Sequence, residues 1–256
     1  MADLMRTSNP ALRGAFGAGD TAYGAETMTI SGAVNKTGIL IILCVATAAW
    51  TWNRFFGALA TSPQDAMASV ALPAMVGGIG GFIVAMVTIF KKEWAGVTAP
   101  IYALLEGLVL GGISALMEMR FHGIAIQAVA LTFGTLVAML IAYRTGLIKV
   151  TDKLRLGIVA ATGGIAVFYF LQFILGFFGV HFTTINGSGP IGIGFSLLVV
   201  GIAALNLVLD FDLIESGANM GAPKYMEWYS AFALMITLIW LYFEILRLLS
   251  KMRSRN

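Results

Sequence analysis

SVALPAMVGGIGGFIVAMVTIF, the stretch from Ser69 to Phe90, contains no charged residue. A transmembrane helix needs about 20 consecutive apolar residues, so this stretch is long enough to cross a bilayer. Its apolar residues cover every face of a helix, whereas a surface helix of a soluble protein keeps a polar face and a barrel strand alternates. The stretch therefore predicts a membrane-spanning helix.

Six further apolar runs flank it, and 59% of the chain is apolar while only 11% is charged. That balance argues against a soluble protein, and connections of about a dozen residues leave no room for a soluble domain. We predict an all-α membrane protein with a single seven-helix bundle. The predicted spans are Thr37 to Trp52, Ser69 to Phe90, Pro100 to Leu116, Gly123 to Tyr143, Leu156 to Phe178, Ile191 to Leu209 and Trp228 to Leu249.

Composition divides the chain into three segments. Residues 1–36 are mostly polar and lack the short apolar core of a secretory signal. Residues 37–250 form the predicted transmembrane domain, and residues 251–256 form a basic tail. Any function must therefore be carried within the membrane.

Glycines recur inside two of the spans at a spacing of four residues, as Gly77 with Gly81 and Gly107 with Gly111. This spacing places small residues on one face of a helix and lets two backbones approach closely in lipid. We expect these four glycines to lie at contacts between helices.

The distribution of Lys and Arg predicts the orientation of the chain. The N-terminal segment and every second loop after it contain ten such residues, whereas the opposite loops contain only Arg54 and Arg120. Cytoplasmic loops are enriched in these residues, so we expect the N-terminus in the cytoplasm. The C-terminal cations disagree, and either the tail departs from this bias or the last segment does not cross completely. These cations are Arg247, Lys251, Arg253 and Arg255.

Several classes of function lack the residues they need. Cys44 is the only cysteine, which excludes an intrachain disulfide and a cysteine-based zinc site. The only histidines, His122 and His181, do not form an HExxH motif, and Ser114 lacks a nucleophile elbow. No phosphate-binding GxxxxGK[ST] motif is present. A net charge of +3 is too small for a nucleic-acid surface. We expect neither an enzyme nor a cofactor nor a nucleic-acid partner, and no resident metal site. The expected partner is the lipid bilayer, and a second membrane protein is left open as a further partner.

Four carboxylates lie in or near the spans, where an ionisable side chain costs about 2.5–3.5 kcal/mol on insertion scales. Asp210 has the strongest claim to a function because it follows Asn206 by one helical turn, whereas Asp212 points about 200° away from it. A solvated cap at the membrane interface is the alternative for these two aspartates. Glu106 also fits a helix–helix hydrogen bond, and Glu244 an ion pair three residues before Arg247.

Three segments resemble a bacterial branch of the Bax-inhibitor family, the transmembrane Bax inhibitor motif proteins. They are MTISGAVNKT at Met28 to Thr37, AAWTW at Ala48 to Trp52, and LDFDLI at Leu209 to Ile214. The resemblance continues through Leu105 to Gly112 and Gln127 to Arg144, and it covers nearly all of the chain after residue 28.

This resemblance implies a seven-helix bundle with the last helix at its centre, acting as a pH-sensitive calcium leak. In such proteins an aspartate of the sixth helix and one of the last helix share protons and close the pore. Asp210 matches the first position. Glu244, in Leu241-Tyr242-Phe243-Glu244, matches the second with Glu in place of Asp, and Glu227 is a carboxylate nearer in sequence.

The leading hypothesis is a proton-gated cation leak with calcium as the permeant ion. Two carboxylates a few Å apart cannot both ionise easily, so a proton would set the gate. The gate would comprise Asp210, Glu244 and Arg247, and a polar network or pore would include Glu106, Asn206, Asp212 and Glu227. Protonation would either reduce permeation or increase it by breaking a latch. The second hypothesis is a non-conducting protein that modulates a membrane-bound protease or other partner.

Overall fold

Seven long helices make up most of the protein in the computed structural model, which describes residues 26–179 and 182–255. Each is long and apolar enough to cross a membrane, which confirms the all-α, seven-helix prediction. They are α1 (Ile30–Leu59), α2 (Pro63–Phe90), α3 (Ala95–Arg120), α4 (Ile124–Arg144), α5 (Asp152–Phe177), α6 (Pro190–Asn219) and α7 (Met226–Arg253). A 3₁₀ turn, Lys92–Trp94, precedes α3, and a one-turn helix, Thr183–Asn186, precedes α6.

The helices extend beyond the predicted spans because a charged residue does not end a helix. α1 begins at Ile30, where the Thr29 side chain caps it by accepting a hydrogen bond from the amide of Gly32 at 2.9 Å. Lys36 therefore lies inside α1, and Lys251 lies inside α7. The predicted divisions after residues 36 and 250 thus fall within helices. Residues 1–25 of the predicted N-terminal segment lie outside the described residues.

The last helix occupies the centre of the bundle. α7 packs against α1, α3, α4 and α6. In its most apolar stretch 61% of the residues are buried, against 11–39% in the other six helices. Polar side chains on α7 therefore face protein on most sides, and they need partners within the bundle.

The four predicted glycines hold α3 against two neighbours. A Cβ atom at Gly107 or Gly111 would overlap backbone carbonyl groups of α1, and one at Gly77 would come within 2.5 Å of the carbonyl oxygen of Leu105 in α3. A Cβ at Gly81 would lie 2.9 Å from Oε1 of Glu106. Glycine is therefore required at Gly77, Gly107 and Gly111, where a Cβ would meet backbone, whereas at Gly81 the Glu106 side chain could shift.

A second set of contacts joins the chain ahead of α1 to the start of α7. Glu227 is completely buried, and its carboxylate accepts hydrogen bonds from the amide and the hydroxyl of Thr29, both at 2.8 Å. Lys36 donates to the same carboxylate, and the Lys224 ammonium lies 3.3 Å away. We call Thr29, Lys36, Lys224 and Glu227 the Glu227 latch. It ties α1 to the connection between α6 and α7.

The C-terminal end of α7 lies at the opposite end of the bundle from this latch. A helix of 28 residues is about 42 Å long. Near its end Arg253 donates to the carbonyl oxygen of His122 at 2.6 Å and to Gln127 at 2.9 Å, both close to the connection between α3 and α4. Of the two alternatives for the tail, the structure favours a complete crossing. The tail then departs from the charge bias.

A glycine substitution tests the close approach of α1 and α3. We expect Gly111→Ala to destabilise the protein by roughly 1–3 kcal/mol, because the new methyl group overlaps the backbone of Ala48. Gly134→Ala is the control, because a Cβ there meets nothing within 4 Å and alanine favours a helix by up to about 1 kcal/mol. Thermal unfolding of the purified protein in detergent measures both. Equal melting temperatures would contradict this packing.

The Glu227 latch is tested by neutralising its carboxylate. Glu227→Gln leaves the Lys36 ammonium, whose side chain is 15% exposed, without its counter-charge, and we expect a loss of about 3–5 kcal/mol. Adding Lys36→Met should recover part of that loss. Glu26→Gln is the control, since its side chain is 78% exposed and a surface ion pair contributes about 0–1 kcal/mol. Equal melting temperatures for Glu227→Gln and Glu26→Gln would show that the Glu227 latch does not stabilise the protein.

Candidate functional site

A line of polar side chains follows the contacts between α5, α6 and α7. Ser196, Asn206 and Asp210 recur on α6 at intervals that place them on one face of the helix. The two last helices are antiparallel, so Ser196 meets Lys251 at one end while Asp210 faces Thr237 at the other. We call this line the polar track. It comprises Thr162, Tyr169, Ser196, Asn206, Asp210, Thr237, Glu244, Arg247 and Lys251.

Asp210 lies at one end of the polar track and is incompletely paired. Its carboxyl group lies beside Thr237 on α7, whose hydroxyl group donates to the carbonyl oxygen of Ala233 at 3.3 Å. Its Oδ2 atom is the one buried side-chain oxygen or nitrogen of the described residues without a hydrogen-bond partner. Asp210 lies about 8 Å along the helix axis from the middle of α6. A carboxyl group at this depth is within the hydrophobic part of the bundle.

An ionised carboxylate in such a place is costly unless a positive charge accompanies it. No salt bridge reaches Asp210 from any of the described residues. The group therefore has two ways to avoid that cost, which are to take up a proton or to attract a cation. Asp210 is therefore the candidate residue for a response to protons or cations.

Asn206 lies one helical turn before Asp210 on α6, and its side-chain amide is hydrogen-bonded. Its side-chain amide donates to the hydroxyl of Thr162 on α5 at 2.8 Å and to the carbonyl oxygen of Ile202 at 2.9 Å. This places Asn206 beside Asp210 on the polar face, as the spacing in the sequence predicts. It also attaches α5 to α6 through a hydrogen bond between side chains.

Glu244 is buried further along the polar track, and its carboxylate has two partners, Tyr169 and Arg247. The Tyr169 hydroxyl donates to its carboxylate oxygens at 3.1 and 3.2 Å, and the Arg247 guanidinium lies 3.3 Å away. Arg247 also donates to the Tyr169 hydroxyl at 2.6 Å and stacks over the tyrosine ring. The ion pair within the helix, which the sequence offers as an alternative role for Glu244, is what the structure contains.

Asp210 and Glu244 do not form the predicted carboxylate pair. Asp210 faces Thr237, and Glu244 lies two helical turns beyond Thr237, roughly 10 Å along the axis. No hydrogen bond joins the two carboxyl groups within the described residues, and the carboxylate that Arg247 pairs with is that of Glu244. The register of α6 against α7 separates them, because it places Ser196 opposite Lys251 and Asp210 opposite Thr237, so Glu244 lies two turns away from Asp210.

Three other predicted residues lie away from Asp210. Glu227 belongs to the latch, about 15 Å along α7 from Thr237, so it is not the second carboxylate. Asp212 accepts from Arg155 of α5 at 2.5 Å with its side chain 21% exposed, which fits a charge at the end of the bundle. Glu106 packs over Gly81 of α2 and faces the hydroxyl of Tyr102, on the far side of α7.

The sequence analysis missed several members of the polar track. Ser196 and Thr237 look like ordinary small residues in apolar runs, and Lys251 looks like part of a basic tail. A signal for Ser196 is present, because it lies on the same helical face as Asn206 and Asp210. The lysine carries no such signal, since the side chains and carbonyl groups around it come from distant parts of the chain.

A cavity of about 430 Å³ lies elsewhere, between α1, α3, α4 and α7. Its walls are almost entirely apolar, apart from a few groups such as Ser114 and Tyr242, whose hydroxyl groups are 2.6 Å apart. No cluster of three or more His, Cys, Asp or Glu side chains that could hold a metal ion occurs in the part of the chain described. Because the lining of this cavity includes no charged side chain, the polar track is the candidate functional site.

Comparison with known proteins identifies the family. A family model described as Bax inhibitor 1 like matches residues 9–254, nearly the whole chain. Neither the curated proteins nor the solved structures contain a match to this chain. The match includes all seven helices and the polar track between the last three. This multi-pass membrane protein therefore belongs to the Bax inhibitor 1 like family.

Proposed function

We propose that this protein is a pH-sensitive cation leak in which Asp210 is the proton-responsive group. Calcium is the permeant ion that the family resemblance implies. The proposal rests on one observation above the others, which is the buried Oδ2 atom of Asp210 without a partner at the contact between α6 and α7. It replaces the carboxylate pair by a single carboxyl group.

The packing of α5 supports a path beside Asp210. Only 11% of the residues in the apolar stretch of α5 are buried, the smallest fraction among the seven helices. Its attachments to α6 and α7 include side-chain hydrogen bonds, those of Thr162 with Asn206 and of Tyr169 with Glu244 and Arg247. A helix attached in this way can move without disrupting the core around α7, and its movement would open the polar track.

Buried apolar side chains lie between the polar side chains of the track. Val199 and Ala203 of α6 and Leu241 of α7 are completely buried between the polar levels. Such a constriction resists the passage of a hydrated ion. We infer that the arrangement described is a closed one, and that conduction requires α5 or α6 to shift outward.

The absence of a cationic partner for Asp210 sets the expected sign of the pH effect. If a carboxylate forms a salt bridge with a cationic side chain, adding a proton to the carboxylate breaks that salt bridge. Asp210 has no such latch within the described residues, so a proton removes only the negative charge that attracts the ion. We therefore propose that permeation falls as the pH falls.

The orientation of the protein and the membrane in which it lies are part of the same proposal. We propose that the end with the Glu227 latch faces the cytoplasm and that the membrane is the inner membrane of a bacterial cell. The charge bias of the connections supports this orientation. The tail departs from that bias, yet Lys251 and Arg253 donate to groups of the bundle. We also propose that the protein acts without enzymatic chemistry.

Calcium flux into liposomes tests the role of Asp210. Across roughly pH 8 to pH 5 we expect wild-type flux to fall about tenfold, which corresponds to about 1.4 kcal/mol of attraction between the carboxylate and the ion. Asp210→Asn should give low flux that varies little with pH. Asp152→Asn is the matched control, because this aspartate is exposed at the start of α5, and it should keep the wild-type profile.

Two results would overturn the proposal. One is wild-type flux that is absent at every pH, which would favour the non-conducting interaction protein instead. The other is an Asp210→Asn variant with the wild-type pH profile, which would place the proton-responsive group elsewhere. Circular dichroism of each variant in detergent establishes that the helices are formed in the samples compared.

A further inference from the structure

The ammonium group of Lys251 is held inside the protein at the end of the polar track opposite Asp210. The residue is 7% exposed although it lies in the last turn of α7. Its Nζ atom donates to the carbonyl oxygen of Ile185 at 2.8 Å, to the carbonyl oxygen of Gly192 at 3.1 Å and to the hydroxyl of Ser196 at 2.9 Å. We call these three oxygen atoms the Lys251 cage.

The cage is built by a tight connection ahead of α6. Ile185 belongs to the one-turn helix before α6, while Gly192 and Ser196 lie in the first turns of α6. A Cβ atom at Gly192 would overlap the carbonyl oxygen of Gly187 and lie 2.9 Å from that of Ile185. Glycine at this position therefore allows several carbonyl groups to converge on one point. Apolar packing at Gly192 would not require carbonyl oxygens to point toward one another.

The ligands of the cage indicate the kind of cation that fits it. The 2.8–3.1 Å distances around Lys251 are those of N–H···O hydrogen bonds from an ammonium group. All three ligands are neutral, whereas calcium and magnesium sites in proteins include carboxylates. Carbonyl oxygens of this type bind K⁺ in channel filters. The cage therefore suits a large monovalent cation, and an ammonium group is one.

We propose that the Lys251 cage is a binding site for a monovalent cation such as K⁺, which the chain fills with its own ammonium group. A cation fixed to α7 in this way closes this end of the polar track. On the same helix, Arg247 and Glu244 pair with each other, and Arg253 donates to the carbonyl oxygen of His122. The ammonium of Lys251 is thus the cation that fills the cage. The proposed binding site does not depend on whether the protein conducts ions. The proposed closure of the track rests on the proposed function.

Emptying the cage tests the binding site. Lys251→Met removes the ammonium and keeps a long side chain, so the three oxygen atoms lose their donor. We expect the melting temperature of this variant to rise by about 3–5 °C in KCl relative to choline chloride of equal concentration, because K⁺ binds only the folded protein. Calcium chloride at the same ionic strength should give no such rise. Lys149→Met, at an exposed loop position, is the matched control and should not respond.

A second variant covers the case in which Lys251→Met does not fold. Lys251→Gln also removes the charge, and its melting temperature is compared in the same salts. A rise specific to K⁺ in either variant supports the site. Equal melting temperatures in KCl and choline chloride for every variant that folds, or failure of both variants to fold in either salt, would show that Lys251 only fastens the connection to α7.

Flux in liposomes tests the closure separately. If wild-type protein conducts, Lys251→Met should raise cation flux several-fold in the absence of K⁺, and unchanged flux would show that the lysine does not close the track. If neither protein conducts while K⁺ still stabilises the variant, the binding site stands and the leak is wrong. The two readouts thus separate failure of this proposal from failure of the proposed function.

Discussion

Every polar group in the interior of this protein has to find its partner inside the chain, because a bilayer provides no water to replace it. That constraint is strongest for α7, which is surrounded by other helices and still contains two buried carboxylates and a buried lysine. Glu227 is satisfied by the chain ahead of α1, Glu244 by α5 and its own helix, and Lys251 by the connection before α6. The contacts of these three groups attach distant parts of the chain to the central helix.

Asp210 stands out against this background of satisfied groups. A partner for it was available in principle, since Arg155 is recruited by Asp212 only two residues further along. Asp210 points into the contact with α7 instead, where it meets Thr237 and keeps one oxygen unpaired. Unpaired buried groups that persist in a fold are commonly functional. This is why a single carboxyl group carries the proposed mechanism.

The bundle divides into a tight half and a loose half for a steric reason. Glycines such as Gly107 and Gly111 bring α3 into backbone contact with α1. Glycines on α5, including Gly163 and Gly164, meet nothing that a Cβ would touch, so they make no such contact. Close packing stabilises α1, α2 and α3 as a unit, while α5 contacts α6 through side chains, such as the hydrogen bond of Thr162 and the ring contact of Phe168 with Phe195. The movement of α5 that the proposed leak requires would leave the tight half unchanged.

The sequence by itself determined the membrane location, the number of helices, the glycine contacts and the family. Each of these follows from local composition or from spacing along one helix, which the order of residues fixes directly. It also placed Asp210 and Asn206 on one face. Only the tertiary structure decided what faces that aspartate. The register between α6 and α7 puts Thr237 there and moves Glu244 two turns away. The cage around Lys251 depends in the same way on carbonyl groups whose direction is set by the folded backbone, and no pattern of side chains encodes that direction.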